Sequence, residues 1–144
     1  NGSIASTLRE ANSGTPEDLF ASYLGWTGLV KSGSIWDFKE DFFRNNIKQV
    51  ILGTNQYNYD VIANIHYGYI GASIGYPKIA LLSGAGVAQI KANTSNISYW
   101  NSWFDDPRDQ SFIIFGYHLY QQYGTALTVS QFISEIQSFK FNVE

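Results

Sequence analysis

Asn64-Ile65-His66-Tyr67-Gly68-Tyr69-Ile70-Gly71-Ala72-Ser73-Ile74-Gly75-Tyr76 is the stretch that decides how this chain is read. It sets an amide, an imidazole, three phenols and three glycines where a core helix ordinarily carries Leu and Ala. A glycine inside a helix costs about 1 kcal/mol relative to alanine, and close approach of another backbone or of a ligand is the usual compensation. At about 100° per residue, Asp60, Asn64, Tyr67, Gly71 and Gly75 share one stripe, while His66 faces elsewhere with Tyr59, Ile62 and Ile70. A polar stripe that becomes a glycine stripe predicts a helix, over about 59–74, that borders a site.

The flanks read as further helices. Before the central helix, Gln49 to Tyr57 joins β-branched residues to turn formers, which predicts a short strand or hairpin near residues 49–58. Trp36-Asp37-Phe38-Lys39-Glu40 is a helix start, with Asp37 as cap and Glu40 three residues on, and the helix is expected to reach about Asn45. Thr15-Pro16-Glu17-Asp18 opens an earlier helix whose apolar face is Leu19, Phe20, Tyr23, Leu24 and Leu29, and Ser3 to Ser13 reads as a short one. After the central helix, Pro77 to Ala92 is helical in pattern despite Gly84 and Gly86, and Asn93 to Phe104 is a polar loop carrying Trp100 and Trp103. Asp106-Pro107-Arg108-Asp109 opens a helix that Gly124 stops, and Thr128 or Ser130 caps a last one. The expected fold is mainly α, a compact bundle of about six helices forming a single domain over residues 1–144.

Composition narrows the chemistry. Without Cys there are no disulfides, no thiolate catalysis and no cysteine metal site. No apolar run of about 18 residues is present to span a membrane, and no basic-then-apolar leader is visible. A chain that begins Asn1-Gly2-Ser3 and lacks Met is expected to be cut from a longer polypeptide. Nine Lys and Arg against twelve Asp and Glu give a net charge of −3. Polyphosphate binding draws most of its free energy from cations, and the nearest approach to a basic cluster here is Arg44 with Lys48. Four Trp, ten Tyr and ten Phe are a heavy aromatic load that suits both a core and a sugar- or base-stacking cleft.

Four fragments occur in order: Ile4-Ala5-Ser6-Thr7-Leu8-Arg9-Glu10-Ala11, Trp36-Asp37-Phe38-Lys39, Asn64-x-x-Tyr67-Gly68-x-x-Gly71 and Asp105-Asp106-Pro107-x-Asp109-Gln110. With them the chain resembles the type 44 polymorphic bacterial toxins, the C-terminal effector domains of secreted antibacterial proteins. The resemblance implies a secreted toxin module neutralised by a cognate immunity protein, and it does not settle the reaction. Many relatives carry Asn where this chain has His66, so a chemistry resting on His66 alone would not run across the family.

Each candidate residue also has a structural reading. Asp37, Asp106 and Asp109 sit where helix caps are wanted, each cap being worth about 1 kcal/mol. Asp105 is spare for capping and open to an acid–base role. A divalent metal at Asp105, Asp106 and Asp109 is conceivable but not favoured, and no cofactor is expected. Lys39 is by default a solvated surface cation, which the family motif raises to an orienter of a carboxylate or substrate anion. Glu10 is the lone acid of its helix, either a surface residue beside Arg9 or a general acid raised by burial. His66 is a hydrogen-bonded core residue or a catalytic imidazole. Asn64 is disfavoured inside a helix, so its amide calls for a partner; Asn64 and Tyr67 are the first choices for substrate contact, and Gly68 and Gly71 for packing.

Acidic balance, aromatic richness and unallocated carboxylates together point to hydrolysis of a cell-envelope polymer, the peptidoglycan glycan. In that reading Glu10 or Asp105 protonates the leaving oxygen, Asp60 or Asp37 assists water or the developing cation, and Asn64, Tyr67, Lys39 and Asp109 hold substrate. The expected agent is a monomer acting in the target-cell periplasm. The alternative is an RNase using His66 with an acid in the target cytoplasm, which requires a local Lys/Arg patch; a third reading is a non-enzymatic binding module.

Overall fold

The computed structural model describes residues 25, 26, 28–30, 38–91 and 106–140. Residues 25, 26 and 28–30 are helical, and the elements that follow are α1 (Phe38–Arg44), β1 (Gln49–Leu52), β2 (Asn55–Asn58), α2 (Tyr59–Ile74), α3 (Lys78–Lys91), α4 (Pro107–Tyr123), a 3-10 turn (Gly124–Ala126) and α5 (Val129–Ser138). The fold is mainly helical with one small antiparallel sheet, as the sequence predicts. No described helix is long and apolar enough to cross a membrane. The expected helix at Ser3 to Ser13 and the loop carrying Trp100 and Trp103 lie outside the described residues.

Local sequence accounts for the element ends. The side chain of Asp106 accepts from the backbone N–H of Arg108 at 2.8 Å, with Pro107 in the first turn of α4. Thr128 and Gln131 form a reciprocal capping box at the start of α5. At the end of α2, Gly75 takes φ 98, so the N–H of Gly75 reaches Ala72 and that of Tyr76 reaches Gly71. The hairpin pairs Gln49 with Asn58 and Leu52 with Asn55. It is tied to α5 by the Tyr57 hydroxyl donating to the Ile136 carbonyl at 3.2 Å.

The pair α2 and α4 forms the spine. The helices run in the same direction, since Arg108 meets Asp60 in their first turns and Tyr69 meets Tyr120 edge-on further along. Glycines bring them together: a Cβ on Gly68 would fall on the carbonyl oxygen of Ile113, and one on Gly116 on that of Ile65. The compensation for the glycines is therefore backbone approach. Two apolar clusters use these helices. One gathers Trp26, Ile74, Tyr76, Leu81, Leu82 and Ile113, and the other Val61, Ile65, Phe112, Phe115, Leu119 and Ile136.

Candidate functional site

Where the glycine crossing ends, the first turns of α2 and α4 carry polar groups. Asp60 sits in the first turn of α2, and its Oδ2 lies 3.9 Å from an Arg108 guanidinium nitrogen. That guanidinium also stands 5.7 Å from the centre of the Phe112 ring, so aromatic and carboxylate together orient it. The Oδ1 of Asp60 is buried and has no hydrogen-bond partner among the described residues. One turn along α2, Asn64 is 7% exposed, and its Nδ2 is likewise buried without a partner. Buried polar atoms are ordinarily paired, and leaving one unpaired costs about 1–3 kcal/mol. An orphaned acceptor and an orphaned donor on successive turns of one helix mark a place shaped for something other than packing.

Asp109 completes the group. It belongs to the first turn of α4 but is not its cap, since Asp106 fills that position. Its carboxyl is pushed above the usual carboxylate range, first by burial. The Lys39 ammonium opposes that shift, the charges of Asp60 and Asp106 reinforce it, and Arg108 opposes it again. Lys39, exposed on α1, thus acts electrostatically on the same carboxyl as α2 and α4 do. Three helices converge here. Asp60 also forms part of the wall of a groove of about 460 Å³ lined by Phe42, Phe43, Asn46, Ile47, Lys48, Asn58 and Tyr59.

The description bacterial toxin 44 belongs to a family model that matches residues 25–122, more than half of the chain. The chain belongs to the bacterial toxin 44 family. No curated protein and no solved structure matches it. The matched span of this toxin domain contains the Trp36, Asn64 and Asp105 motifs, whereas Ile4 to Ala11 lies before it.

Of the residues expected at the toxin's site, Asp60, Asn64, Asp109 and Lys39 fall in the polar cluster. Glu10, Asp37 and Asp105 lie outside the described residues. Tyr67 shares the stripe, but its hydroxyl donates to the Leu81 carbonyl at 3.2 Å and its ring centroid lies 5.3 Å from that of Trp26, a packing role. His66 is two residues from Asn64, about 160° around the helix, so it faces away from the carboxylates. Burial lowers its pKa from the ordinary 6.5 to about 4, which keeps the imidazole neutral. Among the described residues no group of three His, Asp or Glu is arranged to hold a metal ion.

Arg108 went unassigned in the sequence, where it is only the variable position of Asp105-Asp106-Pro107-x-Asp109. The available signal was its place in the first helical turn, three residues after a spare acid. Gln110 of the same motif is buried, and its Nε2 donates to the Leu82 carbonyl at 3.4 Å, which anchors α4 to α3.

Proposed function

We propose that this toxin domain is a hydrolase of the cell-envelope glycan, cleaving glycosidic bonds of peptidoglycan with Asp109 as general acid and Asp60 as its carboxylate partner. Glycoside cleavage asks two carboxyl groups to behave differently: one keeps a proton for the leaving oxygen, the other stays charged to activate water or to meet an oxocarbenium-like centre. Burial and two neighbouring carboxylates favour the protonated form of Asp109. The Asp60 carboxylate lies 3.9 Å from a guanidinium nitrogen of Arg108, and it takes the part of the second carboxylate in this reading. Asp109, first assigned to substrate holding, takes the acid role in this reading, and Glu10 and Asp105 remain the other candidate acids.

The observation that carries the reading is the orphaned pair, Asp60 Oδ1 and Asn64 Nδ2. Sugar hydroxyls both donate and accept, so a saccharide satisfies the two together. A phosphate oxygen only accepts, so on a nucleic acid only a ribose hydroxyl or a base N–H could bond Asp60. The chain's nine Lys and Arg against twelve Asp and Glu also run against the cation surplus that a polyphosphate requires. The agent is delivered from the producer cell to a competitor's periplasm, and its partner in the producer is a cognate immunity protein.

Purified domain incubated with isolated sacculi is expected to release soluble muropeptides and to leave total RNA intact. Asp109→Asn is expected to lower that release about 10²- to 10⁴-fold, the usual contribution of a positioned acid. Shortened RNA with untouched sacculi overturns the assignment and restores the ribonuclease alternative. The anomer of the first product then reports the carboxyl separation: retention for about 5 Å, inversion for about 6.5–9.5 Å.

A further inference from the structure

The groove beside Asp60 is lined by two asparagines and three aromatic rings, with Ile47 and Lys48. Asn46 ends α1 in the left-handed region, φ 53, with its N–H bonded to Phe43 and that of Ile47 to Phe42. Glycine is the residue best suited to that backbone, and this chain keeps an amide there. Asn58 occupies the N-cap of α2, yet its side chain makes no cap hydrogen bond. A cap Asn ordinarily stabilises its helix by bonding to it. Both residues line the groove.

Aromatic surface lies between them. The Phe42 and Tyr59 rings pack at 6.0 Å, and Phe43 is 74% exposed. Lys48 adds a cation to the lining, and its carbonyl accepts from the N–H of Tyr59, which closes the open end of the hairpin at the start of α2. The volume, about 460 Å³, lies within the range of small-molecule sites. Asp60 forms part of the groove's wall, so a molecule that fills the groove lies beside that carboxylate.

We propose that this groove is a saccharide subsite of the same site, in which Phe43 and Tyr59 stack on the apolar face of a sugar ring while the Asn46 and Asn58 amides bond its hydroxyl and acetamido groups. The inference rests on the glycan-hydrolase reading and extends it by naming the residues that grip the strand beyond the cleaved bond. Aromatic faces flanked by neutral amides suit a neutral polyol with an N-acetyl group. A nucleic acid would call for more than one lysine, and a lipid tail for fewer amides. The Phe43 ring is 74% exposed, so a sugar lying on it would cover an open apolar face.

The test uses the whole chain carrying Asp109→Asn, so that substrate persists, titrated with a β-1,4-linked N-acetylglucosamine tetramer and separately with an oligouridylate. Side-chain NH₂ resonances of Asn46 and Asn58 are followed by ¹⁵N-resolved NMR. The tetramer is expected to shift both resonances. Adding Phe43→Ala is expected to weaken binding roughly five- to tenfold, the scale of one aromatic contact. Asn46→Gly, which suits the backbone better, should leave the fold intact and weaken binding as well. Shifts produced by the oligouridylate and not by the tetramer overturn the subsite. So does sacculus cleavage by otherwise wild-type chains carrying Phe43→Ala or Asn46→Gly at unchanged KM, an outcome that leaves the hydrolase standing. Tetramer binding in a domain that cleaves no sacculi supports the groove and removes the reaction instead.

Discussion

The middle and the beginning of the α2–α4 pair follow opposite rules. At the crossing, Gly68 lies against the Ile113 carbonyl and Gly116 against that of Ile65, and the surroundings are Val61, Ile65, Phe112 and Phe115. In the first turns of the same helices, Asp60 and Asn64 leave buried polar atoms without partners and Asp109 carries a carboxyl that its surroundings make costly to ionise. One region discards side chains to gain contact. The other tolerates unfavourable burial that packing alone would eliminate. Strain retained in one part of an otherwise well-packed helix pair is the physical signature of a site, because selection for stability would remove it.

Breaking the crossing is expected to have the largest effect. Gly68→Ala places a methyl on the Ile113 backbone, which no rotamer change relieves, so the helices must separate. The expected loss is about 3 kcal/mol or more, read from the urea midpoint, and Gly116→Ala should behave alike. Gly28, helical and with nothing within 4 Å of an added Cβ, is the control: alanine there should stabilise by about 0.5–1 kcal/mol. Equal effects at Gly28 and Gly68 would mean that the crossing is looser than described and would erase the contrast.

Burial acts with opposite sign on the two titrating groups, and that sharpens the comparison. Desolvation lowers His66 from 6.5 to about 4. Above pH 6.5 folded and unfolded chains both hold a neutral imidazole. Between pH 6.5 and about 4 the unfolded chain takes up a proton that the folded chain refuses, so stability falls as the solution is acidified. The full effect is about 2–3 kcal/mol, reached near pH 4. His66→Gln should flatten that acid branch in urea titrations at pH 7, 5.5 and 4.5 while leaving sacculus cleavage at pH 7 nearly unchanged. A large loss of cleavage would instead bring the imidazole into the chemistry.

The sequence made the helices legible because their signals are local. Asp106-Pro107, Thr128 with Gln131, and Gly75 each act within one turn, and the structure places helix ends there. The hairpin was readable from Val50, Ile51 and the turn at Gly53, whose φ is 63. Partnership across space was not. The polar stripe of α2 showed that Asp60 and Asn64 share a face, but nothing in periodicity says that α4 lies beside that face rather than α3. For the same reason Tyr67 and Asn64 looked equivalent, although Tyr67 finds the Leu81 carbonyl and Asn64 Nδ2 finds nothing. Asn46 and Asn58 carry no distinctive signal in the sequence, since the backbone angle of the one and the missing cap bond of the other exist only in the fold.

Asp109→Asn also has a stability consequence. A carboxyl raised by burial binds its proton more tightly when folded, so folding loses stability as pH rises from the ordinary carboxylate range through the raised value, and the cost persists at neutral pH. Removing the charge should make the inactive variant as stable as the parent or more so, by up to about 1 kcal/mol, since water still reaches the group. Asn64→Leu is expected to have the smallest effect on stability. The substitution replaces a buried amide whose Nδ2 has no partner among the described residues by an apolar group of similar size, so lost polarity and gained burial nearly cancel, within about 1 kcal/mol. Its effect on sacculus cleavage should be far larger, because the donor offered to a sugar hydroxyl is gone. If thermal melts instead show Asn64→Leu destabilised as strongly as Gly68→Ala, the amide belongs to the packed spine, and the boundary between the two regions moves one turn toward Asp60.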